Sequence, residues 1–401
     1  MKGESVKRNK IAIAALVASI AMGTLAIQPA KAASTSLVIG SVLDIDKLDP
    51  HTATNFATVR ALGLVYSSLV EVGPANKLKT GLATAWRFSD DGKQLRLTLR
   101  EGVKFHDGTT FDAVDAKASL ERILDTKTGA AARANIATIT SISASGRYLT
   151  LSMSVSNVPI LAALDGVNMA MLSSEDIAAG KIGGTNKPNG TGPFVYESWE
   201  PTQSVKLTAN PDYWMGKPKI SDVTIRVIPT EASILAALNA GTIQLGIVSD
   251  PLIAKQVNTR KLKLYKTPAL AYYVLQLNNK VAPFDNKNVR LAVQCAIDRQ
   301  EVINTAMLGQ GAVSGPITSP AYRSSTTDRP CPEADLAKAK AYLAASGKTN
   351  VSFKALVTST GWATSVAMAQ NIKAQLAKAG ITMELDITDQ ATYVPRWLKA
   401  D

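Results

Sequence analysis

The chain has 401 residues, of which 46% are hydrophobic and 19% are charged. This composition is typical of domains that fold in water, and it excludes both a disordered chain and a protein with many membrane spans. The formal net charge of +12 would suit nucleic-acid binding, but part of it lies in the first 32 residues. The densest remaining group of bases is typical of a solvated strand face, and it consists of Arg260, Lys261, Lys263 and Lys266. We therefore expect no nucleic-acid partner.

Cysteine and histidine are too rare for a dedicated metal enzyme. The chain has two of each, which excludes a cysteine-rich zinc site and a disulfide framework. A single disulfide between Cys295 and Cys331 is an alternative if the chain is exported, but the sequence favours two free thiols. No metal ion and no other cofactor is expected.

The N-terminus has the pattern of an export signal. A basic start precedes a nearly uncharged apolar run at residues 11–27, and Ala30-Lys31-Ala32 has the small residues that precede a cleavage site. The alternative is an uncleaved membrane anchor, since the run approaches the length of a short spanning helix. We expect cleavage after Ala32, and no lipid anchor because no cysteine lies near residue 30. The product would then be periplasmic.

Strand and helix patterns alternate along the remaining chain. Residues 37–40 form an apolar strand pattern and residues 95–99 an alternating one. Asp112 and Asp115 have the spacing of a capping box, which predicts that a helix begins there. His106-Asp107-Gly108 between them predicts a turn rather than a proton-transfer pair. The later predictions are a helix at 233–240, strands at 243–248 and 272–277, a long helix at 289–308, a loop at 309–320, and a strand, helix and strand at 351–357, 368–376 and 381–387.

Known catalytic signatures are absent from the sequence. Gly347-Lys348-Thr349 resembles the end of a phosphate-binding loop, but Tyr342 stands where that loop needs its first glycine. We interpret Gly347 as a helix C-cap, and we expect no catalytic residues. A secreted α/β hydrolase with a dispersed site remains an alternative.

Several motifs, taken in order, resemble family 5 extracellular solute-binding proteins, the dipeptide, oligopeptide and nickel receptors of ABC importers. Residues 81–93 (GLATAWRFSDDGK) and 99–109 (LREGVKFHDGT) carry the strongest likeness. Others follow the same order: LDP at 48–50, GTGPF at 190–194, NPDYW at 210–214, NVR at 288–290, AIDR at 296–299 and AKAKAYL at 337–343. Gln244 departs from the family, which often has an acid there.

The resemblance implies an α/β fold of the two-lobed periplasmic binding protein type (type II). Residues 1–32 would be the signal peptide and 33–265 the first lobe, with an inserted subdomain at about 63–185. Residues 266–401 would form part of the second lobe. Family members continue beyond a segment like 381–398, so we expect a truncated or frame-shifted product with an incomplete second lobe, whose solute binding is weak or lost. The alternative is a shortened but complete variant.

The resemblance also implies a small peptide or peptide-like ligand, delivered to ABC permease subunits in the inner membrane by a protein that is monomeric if complete. The resemblance places four residues at the ligand. Thr54, Asn55 and Phe56 would pair with an extended peptide backbone, and the fourth residue is Tyr273. Two alternatives stay open, namely a helix cap at Thr54 or Asn55 and a buried packing role for Tyr273. Trp86, Trp199 and Trp214 are expected in the core. A peptide-holding chaperone or sensor module is the third candidate function.

Overall fold

The computed structural model describes residues 35–73, 77–266, 272–313, 330–360 and 364–399. The predicted signal peptide and most of the predicted loop at 309–320 lie outside these residues. The strands are β1 (Ser36–Ser41), β2 (Val70–Val72), β3 (Leu78–Thr80), β4 (Ala83–Phe88), β5 (Gln94–Leu99), β6 (Ile139–Ser145), β7 (Tyr148–Met153), β8 (Phe194–Glu200), β9 (Ser204–Ala209), β10 (Asp222–Val227), β11 (Leu245–Gly246), β12 (Val351–Thr358) and β13 (Ile381–Thr388). The helices are α1 (Phe56–Leu62), α2 (Ala113–Leu124), α3 (Ile160–Ala163), α4 (Ser174–Ala178), α5 (Glu231–Asn239), α6 (Pro251–Lys255), α7 (Lys287–Ala296), α8 (Arg299–Ala306), α9 (Leu336–Ala345), α10 (Ser365–Lys378) and α11 (Gln390–Leu398).

A mixed five-stranded sheet lies at the centre of the first part of the chain, with the strand order β11-β1-β10-β9-β8. Strand β1 is parallel to both of its neighbours, β10 and β11, whereas β8, β9 and β10 are antiparallel. Apolar side chains of this sheet pack with α1 in a core that we call core A, drawn from residues 45–66 and 170–225.

A second, antiparallel sheet has the order β4-β5-β7-β6 and packs with α2. Leu95, Leu97 and Leu99 on β5 are at most 2% exposed, because alternate side chains of a strand point to the same face. Their core, core B, takes its residues from 69–171. The predicted capping box is confirmed, since Asp112 accepts from the N–H of Asp115 and the Asp115 side chain accepts from the N–H of Asp112.

The GTGPF motif brings the chain against Val65, at a place where only glycine fits. A Cβ on Gly190 would lie 2.1 Å from the Val65 carbonyl oxygen, and one on Gly192 would lie 2.5 Å from the Val65 carbonyl carbon. The Gly190 carbonyl accepts from the N–H of His106 at 2.8 Å. The motif therefore joins core A to the predicted His106-Asp107-Gly108 turn, which the structure confirms.

A third core, core C, takes its residues from 284–383. Strands β12 and β13 pair in parallel along eight residues each, and α10 connects them, as the strand-helix-strand pattern predicted. Helices α7 and α9 pack on each other, and Cys295 and Cys331 form a disulfide with a Cα–Cα distance of 5.1 Å. The expectation of two free thiols was therefore wrong. Thirty-six positions separate the two cysteines, so only the packing of α7 beside the start of α9 reveals their proximity.

Three predicted elements differ from the structure. The long helix at 289–308 is two helices, α7 and α8, because Ile297 is extended and Asp298 caps α8. The strand at 243–248 is reduced to the two residues of β11. Residues 272–279 have no regular secondary structure, although Leu275 and Leu277 pack against core C as an alternating strand would.

Smaller expectations are mostly confirmed. Trp86 and Trp214 pack against core B and Trp199 packs against core A. Gly347 follows the end of α9 with a φ of +69°, as a C-cap glycine does. The basic cluster at 260–266 is exposed but lies on no strand.

Candidate functional site

Three of the four predicted ligand residues lie together at the start of α1. Asn55 is the N-cap, since its Oδ1 accepts from the N–H of Ala57 at 2.8 Å and its Nδ2 donates to the Asp44 carbonyl at 3.1 Å. The capping role considered for this stretch is therefore confirmed for Asn55. Thr54 is exposed, and Phe56 is 53% exposed.

The backbone around Thr54 is extended. Ala53 has φ −66° and ψ 126°, and Asn55 has φ −80° and ψ 130°. Within the part of the chain that the structure describes, neither the N–H nor the carbonyl of Thr54 has a hydrogen-bond partner. An extended segment with unpaired backbone groups can accept another extended chain beside it.

A partly buried ion pair anchors the turn that precedes this segment, the 3-10 turn Pro50–Thr52. The Arg122 guanidinium donates to both oxygens of Asp49, at 3.2 and 2.6 Å. Asp49 also accepts from the N–H of His51 at 3.0 Å. The Arg122 and Asp49 side chains are only 16% and 14% exposed, so the pair is shielded from water.

His51 completes this arrangement as a neutral ring. The Arg122 guanidinium can only donate hydrogen bonds, so His51 Nδ1 is the acceptor of their 2.8 Å bond. The ring hydrogen is therefore on Nε2, which donates to the Ala170 carbonyl at 2.9 Å. Burial, reinforced by the Arg122 charge, lowers the pKa of His51 to about 4. Burial likewise raises the pKa of nearby Tyr66. The turn is therefore held by one charged pair and one neutral imidazole.

We expect His51 to make the protein less stable as the pH falls from about 6.5 to about 4. Its unfolded pKa is about 6.5 and its folded pKa about 4, so in this window the unfolded chain binds a proton that the folded chain does not. The stabilising contribution is present above this window and is lost as the pH falls through it. Denaturant titrations across the window should show a shallower decline for His51→Gln than for the wild type, and equal slopes would contradict the assignment.

Tyr273, the fourth predicted ligand residue, lies beside core C. Tyr273 is 46% exposed, and its hydroxyl accepts from Thr364 Oγ1 at 3.3 Å. The alternative of a buried packing tyrosine is therefore wrong. The structure thus groups Thr54, Asn55 and Phe56 on core A and places Tyr273 on core C, while contact with a ligand stays a prediction for all four.

A cavity of about 450 Å³ lies beside the His106-Asp107-Gly108 turn. In its wall the Asn189 side chain donates to both Asp107, at 2.9 Å, and Asp176, at 2.8 Å. The pKa of His106 is lowered by burial, and its ring bonds the Gly192 carbonyl at 3.1 Å. No sequence pattern marks this cavity, because Asn189 lies 82 positions from Asp107 in the chain. The polar side chains of the cavity wall hydrogen-bond to each other and stabilise the turn.

Comparison with known proteins identifies the family. The family model for bacterial extracellular solute-binding proteins, family 5, matches residues 77–401. Among curated proteins, the glutathione-binding protein GsiB of Salmonella paratyphi A is 30% identical over 376 residues, which cover 91% of this chain and 72% of GsiB.

Solved structures agree with the sequence comparison. The periplasmic binding protein DppA of Helicobacter pylori, in complex with the peptide STSA, has a TM-score of 0.80 and 27% identity, covering 90% of this chain and 76% of DppA. AgaA of A. tumefaciens R10, in complex with agropinic acid, has a TM-score of 0.79 and 27% identity, covering 91% of this chain and 75% of AgaA. The predicted two-lobed α/β fold is confirmed.

The comparisons also settle the class of protein. The matched relatives are substrate-binding receptors of ABC transporters, so the prediction of a receptor rather than an enzyme is confirmed. Within its described residues, the structure has no helix long and apolar enough to cross a membrane. The chain belongs to family 5 of the bacterial extracellular solute-binding proteins.

Proposed function

We propose that this chain is an exported receptor that binds a peptide-like small ligand between two lobes and delivers it to an ABC permease in the inner membrane. The observation that carries the proposal is the extended, exposed backbone at Thr54, whose N–H and carbonyl have no partner among the described residues. An extended peptide could pair with these groups. The names of the relatives agree, since they bind glutathione, a peptide and agropinic acid.

The proposed lobes follow the cores. The first lobe, residues 33–265 with a subdomain at about 63–185, would contain cores A and B, and the second lobe, from residue 266, would contain core C. A ligand that touches Thr54, Asn55 and Phe56 on one lobe and Tyr273 on the other would make all of its contacts only in the closed form. It would therefore shift the population towards closure.

Export through a cleaved signal peptide is part of the proposal. The basic start, the apolar run and the Ala30-Lys31-Ala32 site support cleavage after Ala32, without a lipid anchor. N-terminal sequencing of secreted protein should begin at Ala33, and a sequence beginning at Met1 would refute this part. The receptor would act as a monomer if complete.

Calorimetric titration of the secreted protein with the peptide STSA, glutathione and agropinic acid tests the receptor function. We expect at least one of them to bind with 1:1 stoichiometry and to raise the melting temperature, because a ligand that binds only the folded state stabilises it. Absence of binding by all three would refute the proposal. Turnover of a peptide or ester substrate would instead favour the hydrolase.

Thr54→Pro tests the role of the backbone at this site. Proline removes the N–H that would pair with the ligand, so we expect affinity for whichever probe binds to fall about fivefold to tenfold, the usual effect of one lost hydrogen bond. Thr54→Ala is the matched control, since it keeps the N–H and should bind like the wild type. Equal affinities of Thr54→Pro and wild type, at an unchanged melting temperature, would contradict backbone pairing.

A further inference from the structure

The exposed side of α1 carries an arginine next to the candidate site. Arg60 lies one helical turn beyond Phe56, so the two side chains share a face of the helix. The Arg60 guanidinium carbon lies 6.0 Å from the centre of the Phe56 ring, and both residues are exposed. A cation and an apolar ring therefore stand side by side, directly after the extended segment at Thr54.

The acidic residues that precede α1 in the chain form hydrogen bonds or ion pairs with residues other than Arg60. Asp44 accepts from Trp199 Nε1 at 3.1 Å and from the N–H of Thr202 at 2.7 Å. Asp46 accepts from Thr58 Oγ1 at 2.6 Å.

The third acid, Asp49, is held by Arg122. Among the residues that the structure describes, no carboxylate lies within 4 Å of the Arg60 guanidinium. The positive charge of Arg60 is thus left uncompensated on a helix whose start is fixed by the Asn55 cap.

We propose that Arg60 binds a carboxylate of the ligand while the Phe56 ring packs against an adjacent apolar part of it. This inference rests on the proposed function and adds the chemical class of the ligand, a peptide-like molecule with a carboxylate near the segment that pairs with Thr54. Guanidinium and carboxylate match as a planar, two-bonded pair. The pair gains strength when the closing lobes exclude water from it.

The carboxylate can come from the C-terminus of a peptide or from an acidic side chain, and three synthetic probes distinguish these sources. They are the tetrapeptide STSA as the free acid, STSA with an amidated C-terminus, and SESA with an amidated C-terminus. Each is titrated calorimetrically into wild-type protein, Arg60→Gln and Arg87→Gln. Arg87 is the matched control, because it is an exposed arginine of β4 that likewise has no ion pair with a described carboxylate.

We expect one of the two carboxylate-bearing probes to bind wild type about tenfold or more tightly than amidated STSA, the usual worth of a charged hydrogen-bonded pair. Arg60→Gln should abolish this preference and leave the affinity for amidated STSA unchanged, whereas Arg87→Gln should keep it. An advantage of the free acid assigns Arg60 to the C-terminus, and an advantage of amidated SESA assigns it to an acidic side chain. An acid preference that survives in Arg60→Gln, or equal binding of all three probes, overturns this inference but leaves the receptor function intact. If no probe binds and glutathione and agropinic acid also fail, the proposed function itself falls.

Discussion

Arg122→Met is expected to lower the free energy of unfolding by about 3 kcal/mol, the lower end of the usual cost of removing one partner from a buried ion pair, because this pair is partly buried. The substitution leaves the Asp49 carboxylate, only 14% exposed, without its cation and removes the donor to His51 Nδ1. Methionine keeps most of the volume of the arginine stem, so the loss reports on the charge rather than on a cavity. Chemical denaturation at pH 7 measures it.

The matched control is Arg147→Met. Arg147 also forms an ion pair, with Glu101 at 2.9 Å, but the two side chains are 41% and 71% exposed. Exposed pairs contribute about 1 kcal/mol or less, so this variant should unfold almost like the wild type. Similar losses in the two variants would show that the Asp49 pair is no stronger than a surface pair. We also expect Arg122→Met to weaken ligand binding, because the turn that it holds leads directly into Thr54.

Contacts between residues close together in the chain could be predicted from the sequence, whereas contacts between distant residues could not. The capping box of α2 was predictable because Asp112 and Asp115 are three positions apart and act on one another. Asn55 as a cap was equally local. The ion pair joins Asp49 to Arg122 across 73 positions, and no pattern in the chain marks those two residues as partners.

Distant contacts also explain the errors. At the break between α7 and α8, the N–H of Asp298 donates to the side-chain oxygen of Gln375 on α10 at 2.6 Å, a contact between residues 77 positions apart. An apolar pattern that continues through residue 297 hides that break. At the site itself, the motifs led to Thr54, Asn55 and Phe56, but the uncompensated charge of Arg60 became visible only when the partners of the surrounding acids were known.

The double substitution Cys295→Ala and Cys331→Ala is expected to lower the free energy of unfolding by about 4 kcal/mol. The bridge spans 36 positions, and closing a loop of this size removes about that much entropy from the unfolded chain in the chain-entropy model. Both cysteines are almost completely buried, at 0% and 3% exposure. The bridge fixes α7 to the segment that precedes α9, so its loss should loosen core C first.

Denaturation with and without a thiol reductant separates the bridge from the effect of the substitutions themselves. Reductant should lower the free energy of unfolding of the wild type to about that of the double variant. It should leave the free energy of unfolding of the double variant unchanged. Hydrogen exchange should locate the loss, with faster exchange in α7 and α9 and unchanged exchange in β5 and α2, whose contacts belong to core B. A wild type that unfolds identically with and without reductant, once thiol titration has shown the bridge to be broken, would contradict the prediction. Faster exchange spread evenly over cores A, B and C would show instead that the bridge stabilises the whole chain rather than core C alone.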